Sequence, residues 1–66
     1  MDILLNGESR TVIDPCRVSD LLQAEGLGDR RVAVEINGAI VPRSAHECHL
    51  LHASDQVEIV HALGGG

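Results

Sequence analysis

The chain has no phenylalanine, tryptophan or tyrosine among its 66 residues, and no lysine. Without aromatic rings, its core has to be built from leucine, isoleucine, valine and alanine. It also offers no platform on which a nucleobase could stack. The five basic residues are all arginines, set against ten acidic ones, for a net charge of −5 with histidine neutral. Such a chain lacks the basic stripe that neutralises nucleic-acid phosphates and the polybasic face that binds anionic lipid. No nucleic acid and no membrane is expected as a partner. A protein partner should instead present a basic surface, because complementary potential speeds encounter.

Long apolar runs are missing too. Ile3-Leu4-Leu5 has no basic segment before it and is far shorter than the ~20 residues of a membrane-spanning helix. The chain reads as soluble and cytoplasmic. Two cysteines, Cys16 and Cys48, are too few for a disulfide framework and are expected to be reduced. The length suits a single domain over residues 1–66. A domain this small buries only about 60% of its unfolded surface. Little remains to enclose an active site, so a stand-alone enzyme is not expected.

What is present organises well. An apolar strand over 2–6 meets Asn6-Gly7, a strong hairpin signal, because a type I′ turn needs positive φ at both central positions. The returning strand is expected over 10–13. Asp14-Pro15 then breaks it, and Val18, Leu21 and Leu22 fall on one stripe of a helix. Gly26 suits the left-handed residue that ends a helix, with Leu27 folding back on the last turn. The helix start is poorly marked: Arg17 is a weak cap, although Asp20 favours the helix dipole.

Residues 31–37, R-V-A-V-E-I-N, alternate with Val32, Val34 and Ile36 on one face. Asn37-Gly38 is a second turn signal, leading to a short strand over 39–41 that ends at Pro42. A last strand from Gln56 to about Ala62 places Val57 and Ile59 inward. Residues 43–55 form a connection of undefined shape. The order predicts an α+β fold of β-grasp, or ubiquitin-like, type: a mixed sheet of four to five strands packed on one helix.

The segment 46–52, H-E-C-H-L-L-H, concentrates donors of the kind that bind zinc. A 3₁₀ turn would align His46, His49 and His52, whereas an α-helix would set His46 and His52 about 120° apart. The spacing matches no standard zinc site, and a solvated loop without metal is expected. His61 continues the inward row of Val57 and Ile59 and is expected to be a half-buried strand end. Cys16 precedes the helix, a position that lowers a thiol pKa.

The chain closes on Ala62-Leu63-Gly64-Gly65-Gly66. With glycine at about 7% of average usage, a triple-glycine ending arises by chance on the order of 0.03% of the time. Residues without side chains lose much entropy on ordering, so a flexible tail is expected. Its terminal carboxylate could thread into a narrow cleft of another protein. There it could attack the α-phosphate of ATP and become an acyl-adenylate open to a sulfur nucleophile. That chemistry requires no side chain of this protein.

The stretches I-L-L-N-G-E at 3–8, V-S-D-L-L at 18–22, V-A-V-E-I-N-G-A-I-V-P-R at 32–43 and D-Q-V-E-I-V at 55–60, with the Gly-Gly end, cover the whole chain. It resembles the bacterial sulfur-carrier (ThiS) family of thiamine biosynthesis. The resemblance implies that Gly66 is adenylated and then converted to a thiocarboxylate, with Gly64 and Gly65 accompanying it into partner active sites. The implied partners are a ThiF-like adenylyltransferase using ATP and magnesium, a ThiG-like thiazole synthase and a sulfur-donor enzyme. No cofactor on the carrier itself is implied. Leu63 is the candidate partner anchor, as a residue that gains burial only in a complex. Two positions depart from the family pattern: Ser54 stands where glycine is common, and Arg17 where threonine is common. A molybdopterin-synthase small subunit, a ubiquitin-like protein modifier and a plain β-grasp binding module are the alternatives.

Overall fold

Strand β1 (Asp2–Leu5) turns through Asn6-Gly7 into β2 (Glu8–Thr11), with Leu5 opposite Glu8. Both turn residues sit at positive φ, 50° and 84°, as expected for the type I′ turn. The computed structural model describes residues 1–61. The return strand therefore starts two residues earlier than the sequence suggests, because pairing resumes directly after the turn. Beyond Thr11 the Met1 and Val12 backbones exchange hydrogen bonds of 2.8 Å, and Ile13 lies past the last pair, 66% exposed.

The helix α1 (Val18–Ala24) buries Val18, Leu21 and Leu22, the stripe read from the sequence. Gly26 at φ 75° ends it. Leu27 N–H donates to Leu22 C=O at 2.8 Å and Gly26 N–H to Gln23 C=O at 3.0 Å. Those two bonds define a Schellman motif, and Leu27 packs on the core as expected. The chain then forms β3 (Val32–Ile36), a second positive-φ turn at Asn37-Gly38, β4 (Ala39–Val41), a 3₁₀ turn over Arg43–Ala45, and β5 (Gln56–His61).

The five strands lie in the order β2-β1-β5-β3-β4. β5 runs parallel to β1 and antiparallel to β3. A parallel pair cannot be closed by a hairpin, so the chain between β1 and β5 makes a long crossing, and α1 is part of it. Ile3, Leu5, Val34, Ile36, Val57 and Ile59 from the sheet pack with Val18, Leu21 and Leu22 in an aliphatic core. This is the mixed-sheet β-grasp fold.

The connection after β4 is not a solvated loop. His46 and Leu51 are buried within it. The His46 Nε2–H donates to the Val41 carbonyl at 3.2 Å. The carbonyls of His46 and His49 accept from Ser19 N–H at 2.9 Å and Val18 N–H at 3.0 Å. These are free donors at the helix N-terminus, groups that must find partners from outside the helix. Leu51 N–H donates to Cys16 C=O at 2.8 Å, and Arg17 bridges Leu50. The weak cap at Arg17 is thus made good by backbone from a distant segment. Asp20 completes the start by accepting the Arg17 N–H at 2.9 Å.

Candidate functional site

The site residues expected from the sequence, Leu63, Gly64, Gly65 and Gly66, lie outside the described residues, as does the expectation of a flexible tail. The described structure builds the platform from which they continue. β5 is the middle strand of the five, bonded to β1 on one side and to β3 on the other. On the β3 side pairing persists to Val32↔His61. On the β1 side the ladder runs out where the chain turns at Asn6. Asn6 N–H donates to Val57 C=O at 2.8 Å, and its side-chain Oδ1 then accepts Ile59 N–H at 2.8 Å. A turn side chain thereby extends the ladder by one bond.

The opposite end of β5 is tied just as firmly. Asn37 Oδ1 accepts Gln56 N–H at 3.0 Å, and Asn37 Nδ2 donates to Asp55 Oδ1 at 3.0 Å. Asp55, itself buried, also accepts His52 N–H at 2.8 Å through Oδ2. Each of the two Asn-Gly turns thus serves twice, once by its backbone and once by fastening β5. The turn before β5 keeps its tight geometry despite lacking glycine: Ser54 adopts φ 69°.

His61 is exposed, not half-buried. It follows the inward alternation, but α1 is only seven residues long, about 10 Å at 1.5 Å per residue, and leaves the last residue of β5 uncovered. Beside it is a shallow depression of about 130 Å³ whose lining includes Asn6, Arg10, Glu25 and Leu27. An ion pair between Arg10 and Glu25, 3.4 Å apart, crosses from β2 to the end of α1 there.

The other candidate groups separate in space. His46 is turned into the protein and bonded to Val41, while the His52 side chain is 81% exposed. Among the described residues, no three histidine, cysteine, aspartate or glutamate side chains are placed to hold a metal ion. Cys16 is buried in the core, and that burial, with the Asp20 carboxylate nearby, pushes its thiol pKa up. Desolvation and the Asp20 charge thus outweigh the chain's N-terminal ammonium, which pulls it down, and the lowering expected from the place before the helix is not what results. Cys48 is free and exposed. The thiols of Cys16 and Cys48 bond to backbone carbonyls, and Thr11 donates to Asp2. No hydroxyl or thiol is coupled to a histidine among the described residues. No described helix is long and apolar enough to cross a membrane.

Known proteins resemble this arrangement over its full length. The crystal structure of thiamine biosynthesis protein ThiS from Geobacter metallireducens superposes with a TM-score of 0.85, at 32% identity, covering 100% of both chains. The solution structure of a thiamine biosynthesis protein from that organism gives 0.80 at 32% identity, covering 100% of this chain and 88% of the other. Proteins called thiazole synthase in Magnetococcus marinus and Paramagnetospirillum magneticum are each 39% identical over 66 residues. The chain spans only 20% of the length of those two relatives. An uncharacterised protein, ycf40, from Porphyra purpurea is 30% identical, and the chain covers 93% of it. The family model described as "ThiS family" matches residues 3–66. On the match over nearly its whole length, this chain belongs to the ThiS family.

Proposed function

We propose that this protein is a sulfur carrier for thiazole formation in thiamine biosynthesis, and that its working group is the carboxylate of Gly66. A ThiF-like adenylyltransferase, with ATP and magnesium, supplies the first step. A Gly66 carboxylate oxygen attacks the α-phosphorus, and pyrophosphate leaves. Hydrosulfide supplied by a donor enzyme then attacks the acyl carbon, expels AMP and loses its proton. The resulting thiocarboxylate gives its sulfur to a ThiG-like thiazole synthase. The carrier is a co-substrate in this scheme, not an enzyme, and holds no cofactor of its own.

The observation that carries this reading is the Gly64-Gly65-Gly66 end on a β-grasp chain whose family match runs through residue 66. The geometry supports it. β5 is anchored on both flanks, so the residues after His61 continue from a rigid strand and not from a loose loop. Glycines pass through a cleft too narrow for side chains. Relatives named thiazole synthase contain a matching segment within one polypeptide, which favours thiazole chemistry over the molybdopterin and protein-modifier alternatives.

Intact-mass spectrometry tests the proposal. Incubation with the adenylyltransferase and ATP-Mg²⁺ should add AMP to the wild type, and a sulfur source should convert the adduct to a thiocarboxylate. Removing Gly66, or appending one residue after it, should abolish the adduct. An adduct on the extended chain would place the reactive carboxylate elsewhere.

A further inference from the structure

An open cleft of about 420 Å³ lies between α1 and the connection after β4. Its lining includes Ser19 and Gln23 from α1, and Arg43, Ser44, His46 and Glu47 from the connection. His46 is only 8% exposed. Its Nε2–H is spent on the Val41 carbonyl, so in the neutral ring Nδ1 is left as an acceptor. Nδ1 has no protein partner, yet no buried side-chain nitrogen or oxygen is unpaired among the described residues. Nδ1 therefore reaches solvent, and the cleft that His46 lines is where it does so.

The rest of the lining is uncommitted too. Among the described residues, the side chains of Ser19, Gln23, Arg43, Ser44 and Glu47 make no hydrogen bond to protein. The ion pairs there join Arg10 to Glu25 and His52 to Asp55. Arg43 and Glu47 thus line one cleft as a cation and an anion further apart than the 4.0 Å of an ion pair. Gly28 lines it as well, and it is not at positive φ as Gly7, Gly26 and Gly38 are. A Cβ at residue 28 would stand 2.8 Å from Gln23 Oε1. The missing side chain leaves the Gln23 amide its place at the wall of the cleft.

From this cluster we propose that the cleft is a binding site for a small zwitterion, an α-amino acid. Its carboxylate accepts from the Arg43 guanidinium and the Ser19 and Ser44 hydroxyls, and its ammonium donates to the Glu47 carboxylate and to His46 Nδ1. A lone anion meets Glu47 as a like charge, a lone cation meets Arg43 as one, and a neutral molecule answers neither. A metal ion is not served, because no three histidine, cysteine, aspartate or glutamate side chains among the described residues are placed to hold one. A zwitterion answers both charges at once, and the volume leaves space for a side chain beside Gln23. The ligand spans α1 and the connection, segments already joined by the bond of 2.9 Å from Ser19 N–H to the His46 carbonyl. Binding of this kind, made only by the folded chain, raises its stability. The site is independent of the chemistry at Gly66.

The test titrates the full nitrogen-labelled chain by NMR with L-alanine, with L-alaninamide, which lacks the carboxylate, and with propanoate, which lacks the ammonium. L-alanine should shift the Ser19, Ser44 and Glu47 amides, move the His46 Nδ1 resonance, and bind about fivefold more tightly than either analogue. It should also raise the urea midpoint, which neither analogue does at the same concentration. Arg43→Gln should remove the preference over L-alaninamide and keep that over propanoate. Glu47→Gln should do the reverse. Gly28→Ala displaces the Gln23 amide and should weaken L-alanine without lowering the urea midpoint. No shift at these residues with L-alanine at tens of millimolar overturns the proposal, as does an analogue that binds the wild type as tightly. Both preferences surviving in Arg43→Gln and Glu47→Gln place the ligand elsewhere and overturn it too. The AMP adduct is measured separately, so the carrier reading stands or falls on its own result.

Discussion

Replacing Ser54 by glycine should make the protein more stable, against the usual sign of such a change. Ser54 sits at φ 69°, where the Cβ of an L-residue crowds the carbonyl that follows at a cost of roughly 1–2 kcal/mol. The backbone cannot relax away from it. Ser54 N–H donates to Asp2 C=O at 2.8 Å, Leu4 N–H donates to Asp55 C=O at 2.9 Å, and Asp55 N–H donates to His52 C=O at 3.1 Å. The turn is thus sewn to β1 on both sides of the strained residue. Glycine removes the crowding but loses more backbone entropy on folding, roughly 0.4–1 kcal/mol. The net gain is about 0.5–1 kcal/mol. For a domain of this size that raises the melting temperature by about 3–6 °C. With no aromatic residue, intrinsic fluorescence cannot report unfolding, so far-UV circular dichroism in urea and on heating is the assay. Ser54→Ala keeps the Cβ and should gain nothing. A glycine variant no more stable than wild type, or an alanine variant equally improved, would refute the argument from backbone strain.

Three further outcomes follow from the packing. Asp55→Ala leaves the Asn37 amide and His52 N–H without an acceptor. It should cost about 2–4 kcal/mol in urea melts, with Asp55→Asn intermediate because an amide keeps one acceptor. Burial raises the Cys16 thiol pKa in the folded state, so the folded chain holds that proton more tightly than the unfolded chain. Stability from this source is fully present below the unfolded thiol value of about 8.5 and declines as pH rises past it. Cys16→Ala should flatten the alkaline decline, and a thiol reagent at neutral pH should modify Cys48 rapidly but Cys16 only as fast as the protein opens. Leu63→Ala should weaken the complex with the adenylyltransferase by about tenfold or more through a faster off-rate, since burying a leucine is worth roughly 1.5–3 kcal/mol. Unchanged residence time in surface plasmon resonance would move the anchor away from Leu63.

The elements written in local chemistry were legible without coordinates. Asn6-Gly7 and Asn37-Gly38 announce their turns because few other residue pairs reach positive φ twice in succession, and both adopt it. Val32, Val34 and Ile36 share a face because a strand has period two. Val18, Leu21 and Leu22 share a stripe because a helix does not. Gly26 and Leu27 specify their own helix end. The triple glycine marks a candidate reactive end because a terminal carboxylate needs no folded neighbours to be recognised. All of these signals act within a few residues, where the sequence is also the geometry.

Other features depend on what the fold brings from far along the chain. Nothing near Arg17 shows that carbonyls from His46 and His49 will close the helix, and nothing in H-E-C-H-L-L-H shows that its first histidine will be buried against Val41. His61 keeps its strand register yet stays uncovered, because the length of a seven-residue helix, and not the strand's own pattern, sets what is shielded. Ser54 accepts a glycine's conformation because β1 holds the turn around it. The opposition of Glu35 and Glu58 exists only through the β3–β5 register. The sequence alone determined the turns and the buried faces of this chain, since these rest on local sterics and periodicity. Tertiary structure decided the caps, the burial of polar groups and the charge pair on the sheet, since each of these rests on contacts between residues far apart in the chain.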